Sequence, residues 1–256
     1  MLRKSNLLQL VIHLNPSSNL FSHNLIGLDF IHPVPQRFLT MINNGVSVIT
    51  TTWNESENIE KLVSTIRRVL ENIPHEIIIV DDDSPDGTIV LAKRLADKAV
   101  SKSRGGQTQG LLHGMRLAKH QVIVTIDADM ENDPNLIPEL VRQAQKYDVV
   151  VASRTQIPRW SEKIASKTLG RLFGITDFFS NFRAYRKETV SQFSTLKGGE
   201  TFGAELLIIS KKNKLRIGEI AYDPPPRRRN PRIGGTMKAN IRIILASIKS
   251  LALYVL

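Results

Sequence analysis

The run Val122-Ile123-Val124-Thr125-Ile126-Asp127-Ala128-Asp129 decides how this chain is read. Its near-continuous apolar stretch predicts a strand covered on both faces. Two carboxylates follow at once. Extended backbone places residues i and i+2 on one side, so Asp127 and Asp129 are expected to face one cation. Glu131 would add a third oxygen if the extended course continues. Carboxylates that supply part of a shell, completed by substrate phosphates and water, are the usual magnesium arrangement. An Asp-x-Asp occurs often by chance. Its place directly after a strand gives it weight.

Outward from that run, short apolar segments alternate with helix-length ones. The predicted pairs are Val46–Thr52 with Ile59–Leu70, Glu76–Asp82 with Thr88–Leu95, Val122–Asp127 with Pro134–Gln145, and Asp148–Ala152 with Lys163–Leu172. Repeated strand-then-helix predicts the α/β class, a mostly parallel sheet with helices on both faces. Past residue 175 the alternation loosens, with a strand predicted at Asn181–Arg186, a helix at Phe202–Lys212 and a strand at Arg216–Tyr222. Ligands of such sheets bind beyond the carboxyl ends of the strands. There the sequence puts Thr52-Trp53-Asn54-Glu55, Asp81-Asp82-Asp83-Ser84 and Asp127-Ala128-Asp129. Acids converging at three strand ends repel one another unless a cation or a donor-rich ligand sits among them.

Composition narrows the chemistry further. The 256 residues are 41% hydrophobic and 23% charged, ordinary for a globular core and unlike a disordered or polytopic membrane chain. With no cysteine and six histidines in no zinc-type spacing, any metal must be a hard cation on oxygen ligands. The formal charge of +11 favours anionic partners: nucleic acid, acidic headgroups or phosphorylated substrates. Aromatics are only 6% and the densest basic loop, at 224–232, is proline-rich, so nucleic acid is not the expected partner. Residues 1–40 show no lasting period and are expected to be a poorly ordered extension rather than a targeting signal. Residues 41–235 form the expected single domain. In 236–256, Lys238, Arg242 and Lys249 line one helical stripe opposite Ile, Leu and Val. That predicts a basic amphipathic helix for a membrane interface; the plainer alternative is a last helix packed on the sheet with a solvated basic edge.

Taken together, Thr-Trp-Asn-Glu after one strand, Asp-Asp-Asp-Ser-Pro-Asp-Gly-Thr after the next, then Asp127-Ala128-Asp129 and Ala152-Ser153-Arg154 resemble the family 2 glycosyltransferases of the GT-A fold. The likeness runs from about Val46 to the C-terminus and is greatest to the branch that loads polyprenyl phosphates with mannose. The resemblance implies that Thr51, Trp53, Glu55, Val80 and Asp82 hold the nucleoside of a nucleotide-sugar donor. It implies that Asp127, Ala128 and Asp129, with Glu131, bind the diphosphate and its Mg²⁺ or Mn²⁺. Arg154 would reach a phosphate, and Arg227, Arg228 and Arg232 belong to a basic loop that closes over the phosphates. The catalytic set is then Asp127, Asp129 and Arg154. The implied reaction is inverting transfer of a hexose, mannose from GDP-mannose, to polyprenyl (dolichyl) phosphate; UDP-glucose is the alternative donor. It also implies a peripheral place on the cytoplasmic face of a membrane, with a membrane-anchoring partner protein as a further expectation. Three positions depart from the family pattern: Thr51 stands for Pro, Glu131 for Gln, and Asn181 for Gly.

The remaining candidates read plainly. Gly105-Gly106, Gly110 and Gly114 suit either a phosphate cradle or a loop leading into a helix. Asp177 reads as structural, Glu205 as an ordinary helix acid, and His113 and His120 as surface or core histidines.

Overall fold

The computed structural model describes residues 45–157, 159–194, 196, 203–225 and 235–255. The extension at 1–40 and Arg227, Arg228 and Arg232 lie outside the described residues. Seven strands form one sheet in the order β3-β2-β1-β4-β6-β5-β7. They are β1 (Val46–Thr52), β2 (His75–Asp81), β3 (Lys98–Ser101), β4 (Val122–Thr125), β5 (Val149–Arg154), β6 (Arg183–Arg186) and β7 (Ile217–Tyr222). Every pairing is parallel except those of β6, which runs antiparallel to both β4 and β5. The chain passes from β1 to β2 on one side and later returns to place β4 on the other. The C-terminal ends of β1 and β4 therefore flank a topological switch point, where open α/β sheets bind ligands.

Strand periodicity sorts the apolar residues into two layers. Val46, Val48, Ile77, Ile79, Val122, Val124 and Val150 face one side. Ile49, Ile78, Val80, Ile123, Val149, Val151 and Tyr185 face the other. The first layer is covered by α1 (Ser56–Val69) through Ile59, Leu62, Val63 and Ile66, by α2 (Thr88–Leu95) and by α4 (Ile137–Gln143). The second is covered by α3 (Gln107–Leu117) and α6 (Ala204–Lys212), which contribute Leu111, Leu112, Met115, Leu206 and Leu207. Each fully buried Leu or Ile here contributes about 1.5–3 kcal/mol.

Beyond β5, α5 (Trp160–Ala165) runs through a wider π-type turn, Ser166–Gly170, into Arg171–Phe173. The final helix, α7 (Gly235–Val255), packs on α5, where Ser161 Oγ donates to Asn240 Oδ1 at 2.6 Å. Its inward face is Asn240, Ile243, Ala246 and Ser250. The expected opposition of basic and apolar stripes is not what α7 shows. Lys238, Arg242 and Lys249 are exposed side by side with Met237, Ile241, Leu245 and Ile248. The reason lies in packing: three of these four inward residues, Asn240, Ala246 and Ser250, are small or polar, and Met237, Ile241, Leu245 and Ile248 lie outside.

Candidate active site

At the β4 end the chain does not stay extended. The strand stops at Thr125, Ala128 and Asp129 form a turn, and Met130 takes a left-handed backbone with φ 62°. Asp129 Oδ1 accepts from Glu131 N at 3.0 Å and closes the turn. The predicted extended alignment of Asp127, Asp129 and Glu131 is therefore corrected to a turn. Among the described residues, no three His, Cys, Asp or Glu side chains stand close enough to grip a metal by themselves. What the turn leaves is a pair of acids, with Glu131 acting on them through its charge. Loss of hydration, then Arg154 pulling down and Glu131 pushing up, net raises Asp127 above the ordinary carboxylate range. Loss of hydration and the charges of Asp127, Glu131 and Glu55 push Asp129 up to about 7. Asp129 nonetheless opens to solvent. A hard cation there would remove the repulsion.

Asp127 itself is held from two sides. Gln107 Nε2 donates to its Oδ1 at 2.6 Å, and Asn132 Nδ2 lies 3.5 Å from its Oδ2. Asn132 Oδ1 in turn accepts from Tyr222 OH at 2.6 Å, which brings the end of β7 to the same place.

The β1 and β2 ends are clasped by the loop between β3 and α3. Arg104 lays its guanidinium over the Trp53 ring, 3.8 Å from the centroid. Lys102 pairs with Asp82, and Gly106 N donates to Asp82 Oδ2 at 3.0 Å. Asp82, which the resemblance assigns to the nucleoside, is thus partly engaged within the chain. Asp81, fully buried, accepts from Thr52 Oγ1 at 2.7 Å and from Ser84 N and Oγ at 2.8 and 2.6 Å.

Arg154, at the end of β5, gives Nε to Asp177 Oδ2 at 2.6 Å and Nη2 to Asp177 Oδ1 at 3.2 Å. Nη2 also donates to Glu162 Oε2 at 3.1 Å. A bidentate grip of this kind fixes the guanidinium plane, and these carboxylates hold Arg154 firmly in its charged form although burial opposes it. Asp177, read from the sequence as structural, accepts from Arg154 at both carboxylate oxygens.

Trp53, Glu55, Asp82, Asp127, Ala128, Asp129 and Arg154 therefore stand at the carboxyl ends of β1, β2, β4 and β5. Thr51 is half-buried beneath α3. Val80 is the clear correction: its side chain is fully buried in the core and offers no surface to a ligand. Sequence reasoning overlooked Lys102, Arg104, Gln107, Asn132, Glu162 and Tyr222. Only the glycine pair at 105–106 hinted at the loop that carries Lys102 and Arg104 and leads into Gln107.

The profile of glycosyl transferase family 2 matches residues 47–198. Dolichol-phosphate mannosyltransferase of Pyrococcus furiosus is 33% identical over 190 residues, 66% of this chain and 54% of that protein. Undecaprenyl-phosphate 4-deoxy-4-formamido-L-arabinose transferase of Pseudomonas syringae is 29% identical over 174 residues, 61% of this chain and 52% of that one. The chain thus spans about half the length of these curated relatives. In fold it is similar to mannosyl-3-phosphoglycerate synthase from Rubrobacter xylanophilus, with TM-score 0.68, 18% identity, and 84% and 74% of the two chains covered. It is also similar to glucosyl-3-phosphoglycerate synthase from Mycobacterium tuberculosis, solved with Mn²⁺, UDP and glucosyl-3-phosphoglycerate. There the TM-score is 0.66, identity 19%, and coverage 86% and 85%. The sheet and its helices are those of the GT-A fold.

Proposed function

Because the chain belongs to glycosyl transferase family 2, we propose that it transfers a hexose from a nucleoside-diphosphate donor to the phosphate of a polyprenyl lipid. The observation that carries this reading is the pair of mutually repelling acids, Asp127 and Asp129, on a turn beside the switch point. Two relatives whose names specify polyprenyl-type phosphate acceptors support the lipid. The donor set is hard oxygen, and it fits Mg²⁺ or Mn²⁺ whose other ligands come from phosphate and water. When bound, such a cation supplies positive charge to a diphosphate that gains negative charge as it leaves.

The rest falls to the chain's own groups. Trp53 offers an aromatic face to the base, with Arg104 above it. Arg154, its plane fixed by Asp177 and Glu162, presents a permanent cation near Asp127. Preorganised charge of this kind acts where charge develops in the transition state. A phosphate acceptor is already anionic and needs no strong general base: one of its oxygens bonds to the anomeric carbon in line as the bond to the nucleoside diphosphate breaks, a single displacement that inverts the centre. Mannose is the sugar we favour, on the name of the Pyrococcus furiosus relative, with GDP-mannose as its donor; UDP-glucose is the other.

Docking on a membrane surface belongs to the same reading. No helix among the described residues is long and apolar enough to cross a membrane. Instead Met237, Ile241, Leu245, Ile248 and Leu251 on α7 lie exposed, as do Trp160 and Ile164 on α5. Exposed Lys163, Lys167, Lys238, Arg242 and Lys249 accompany them. Apolar residues bordered by bases suit an anionic lipid interface.

The test is incubation with radiolabelled GDP-mannose or UDP-glucose, polyprenyl phosphate in anionic vesicles, and Mg²⁺ or Mn²⁺. Label is expected to enter the organic phase with one donor and only with a divalent cation present. In a density step the protein is expected to float with anionic vesicles and not with neutral ones. Label that moves with neither donor, or equally well in EDTA, sinks the proposal.

A further inference from the structure

We infer that Gln107 is a positioning residue for donor binding: its amide fixes Asp127, and the adjoining Gly106 ties the same turn to Asp82, so that cation and nucleotide bind cooperatively. The inference rests on the reading of Asp127 as a ligand for the cation and diphosphate. Gln107 Nε2 donates to Asp127 Oδ1 at 2.6 Å, a short hydrogen bond to a carboxylate. One residue earlier, Gly106 N donates to Asp82 Oδ2 at 3.0 Å from a backbone with φ +83°, a conformation that residues with a side chain rarely adopt. Two consecutive residues thus hold carboxylates from the ends of β2 and β4. Those strands flank β1, and the turn bridges them across its end.

The bridge is fixed in place by packing. A Cβ on Gly110 would stand 2.6 Å from Thr51 Cγ2, so α3 lies flush on β1 and has no room to slide inward. Gln107, at the first turn of α3, inherits that position. A carboxylate offers about four acceptor directions. The amide occupies one on Oδ1 and leaves Oδ2, with Asn132 Nδ2 at 3.5 Å, for an incoming ligand. Without the amide, the Asp127 side chain would have to be ordered at the moment of binding, and affinity would fall by that entropy.

The test titrates the full chain with Mn²⁺ alone, with GDP or UDP alone, and with both, by calorimetry. The electron paramagnetic resonance spectrum of bound Mn²⁺ gives a readout independent of turnover. Gln107→Met keeps the side-chain volume and removes the N–H. It is expected to weaken Mn²⁺ binding about tenfold, the effect of losing a partner that orients a metal ligand. It should also abolish most of the enhancement that Mn²⁺ gives to nucleotide binding, with cation-free nucleotide affinity within about twofold of wild type. If Gln107→Met melts early, Gln107→Asn, a methylene too short to reach Asp127, carries the same comparison. A variant equal to wild type in Mn²⁺ affinity and enhancement overturns the inference. So does one that weakens cation-free and cation-bound nucleotide binding alike, which marks a merely structural role. If wild type itself shows no cation-dependent nucleotide binding, the proposed function falls as well, and the two failures are told apart.

Discussion

The carboxyl ends of β2 and β4 flank β1 in one sheet, and both carry runs of aspartate, yet folding treats them in opposite ways. At β2 the acids are answered from within the chain. Asp81 accepts from Thr52 and Ser84, Asp82 pairs with Lys102 and Gly106, and Asp86 accepts from Ser56 and Thr88. At β4 amide donors also reach Asp127 and Asp129, but the two acids and Glu131 face one another. Burial with that repulsion outweighs the donors: both aspartates are raised, Asp129 to about 7. An acid that the fold buries and satisfies, as it does Asp81, is scaffold. One that it leaves repelling holds a free-energy cost that a ligand of opposite charge relieves. Residue type alone cannot tell the two apart; the donors around each carboxylate do.

The sharpest way to break that contrast is Asp129→Ala. Transfer is expected to fall by about 10² to 10³, as for loss of one transition-state charge contact. Thermal stability should hold or rise, because a like charge leaves the cluster. An unchanged rate in the label-transfer assay removes Asp129 from the site. A melting temperature several degrees lower instead makes the β4 turn scaffold, and the contrast collapses.

The mirror experiment is at β2. Asp81→Ala removes a fully buried acceptor and strands the donors of Thr52 and Ser84. Breaking such a network costs about 2–4 kcal/mol, read as a lower urea midpoint. Cation-dependent nucleotide binding by the folded fraction is expected to persist. A loss below about 1 kcal/mol would mean that these hydrogen bonds are not what settles the β2 acids.

How much of this was legible in the sequence follows the same division. β1 and α2 were read to their ends, because a buried run and a glycine start are local signals. β3 was overlooked: Lys98-Ala99-Val100-Ser101 is a short edge strand with one large apolar residue. The reversed direction of β6 was not readable, since period-2 burial looks the same in either sense. At the site, the acids were visible as strand-end residues, and Arg154 through the family resemblance alone. The left-handed Met130 that turns the chain after Asp129 was not, and an extended course was expected in its place. Gln107, Arg104 and Glu162 were invisible because their partners lie 20, 51 and 8 residues away, joined only by the fold.

The smallest effect, and the finest probe of the contrast, is the pH response of Asp86. Burial opposes its charge, but hydrogen bonds from the Thr88 hydroxyl, from Ser56 and from Thr88 N outweigh that and hold its pKa at about 2, below the ordinary 3.8. A carboxyl depressed on folding adds stability that is present above its unfolded pKa and is lost as pH falls through the folded one. Asp86→Asn, the uncharged isostere, should therefore be less stable than wild type at neutral pH. Because Asp86 is exposed, solvent screening limits the difference to about 1 kcal/mol or less. Urea midpoints of the two proteins should converge as pH drops through 3.8 toward 2. Asp86 ties the start of α1 to the start of α2, through Ser56 N and Thr88 N. A gap that persists unchanged at low pH would show that the amide fails for its shape rather than for its missing charge. The β2 acids would then be settled by geometry, and electrostatics would distinguish only the β4 end.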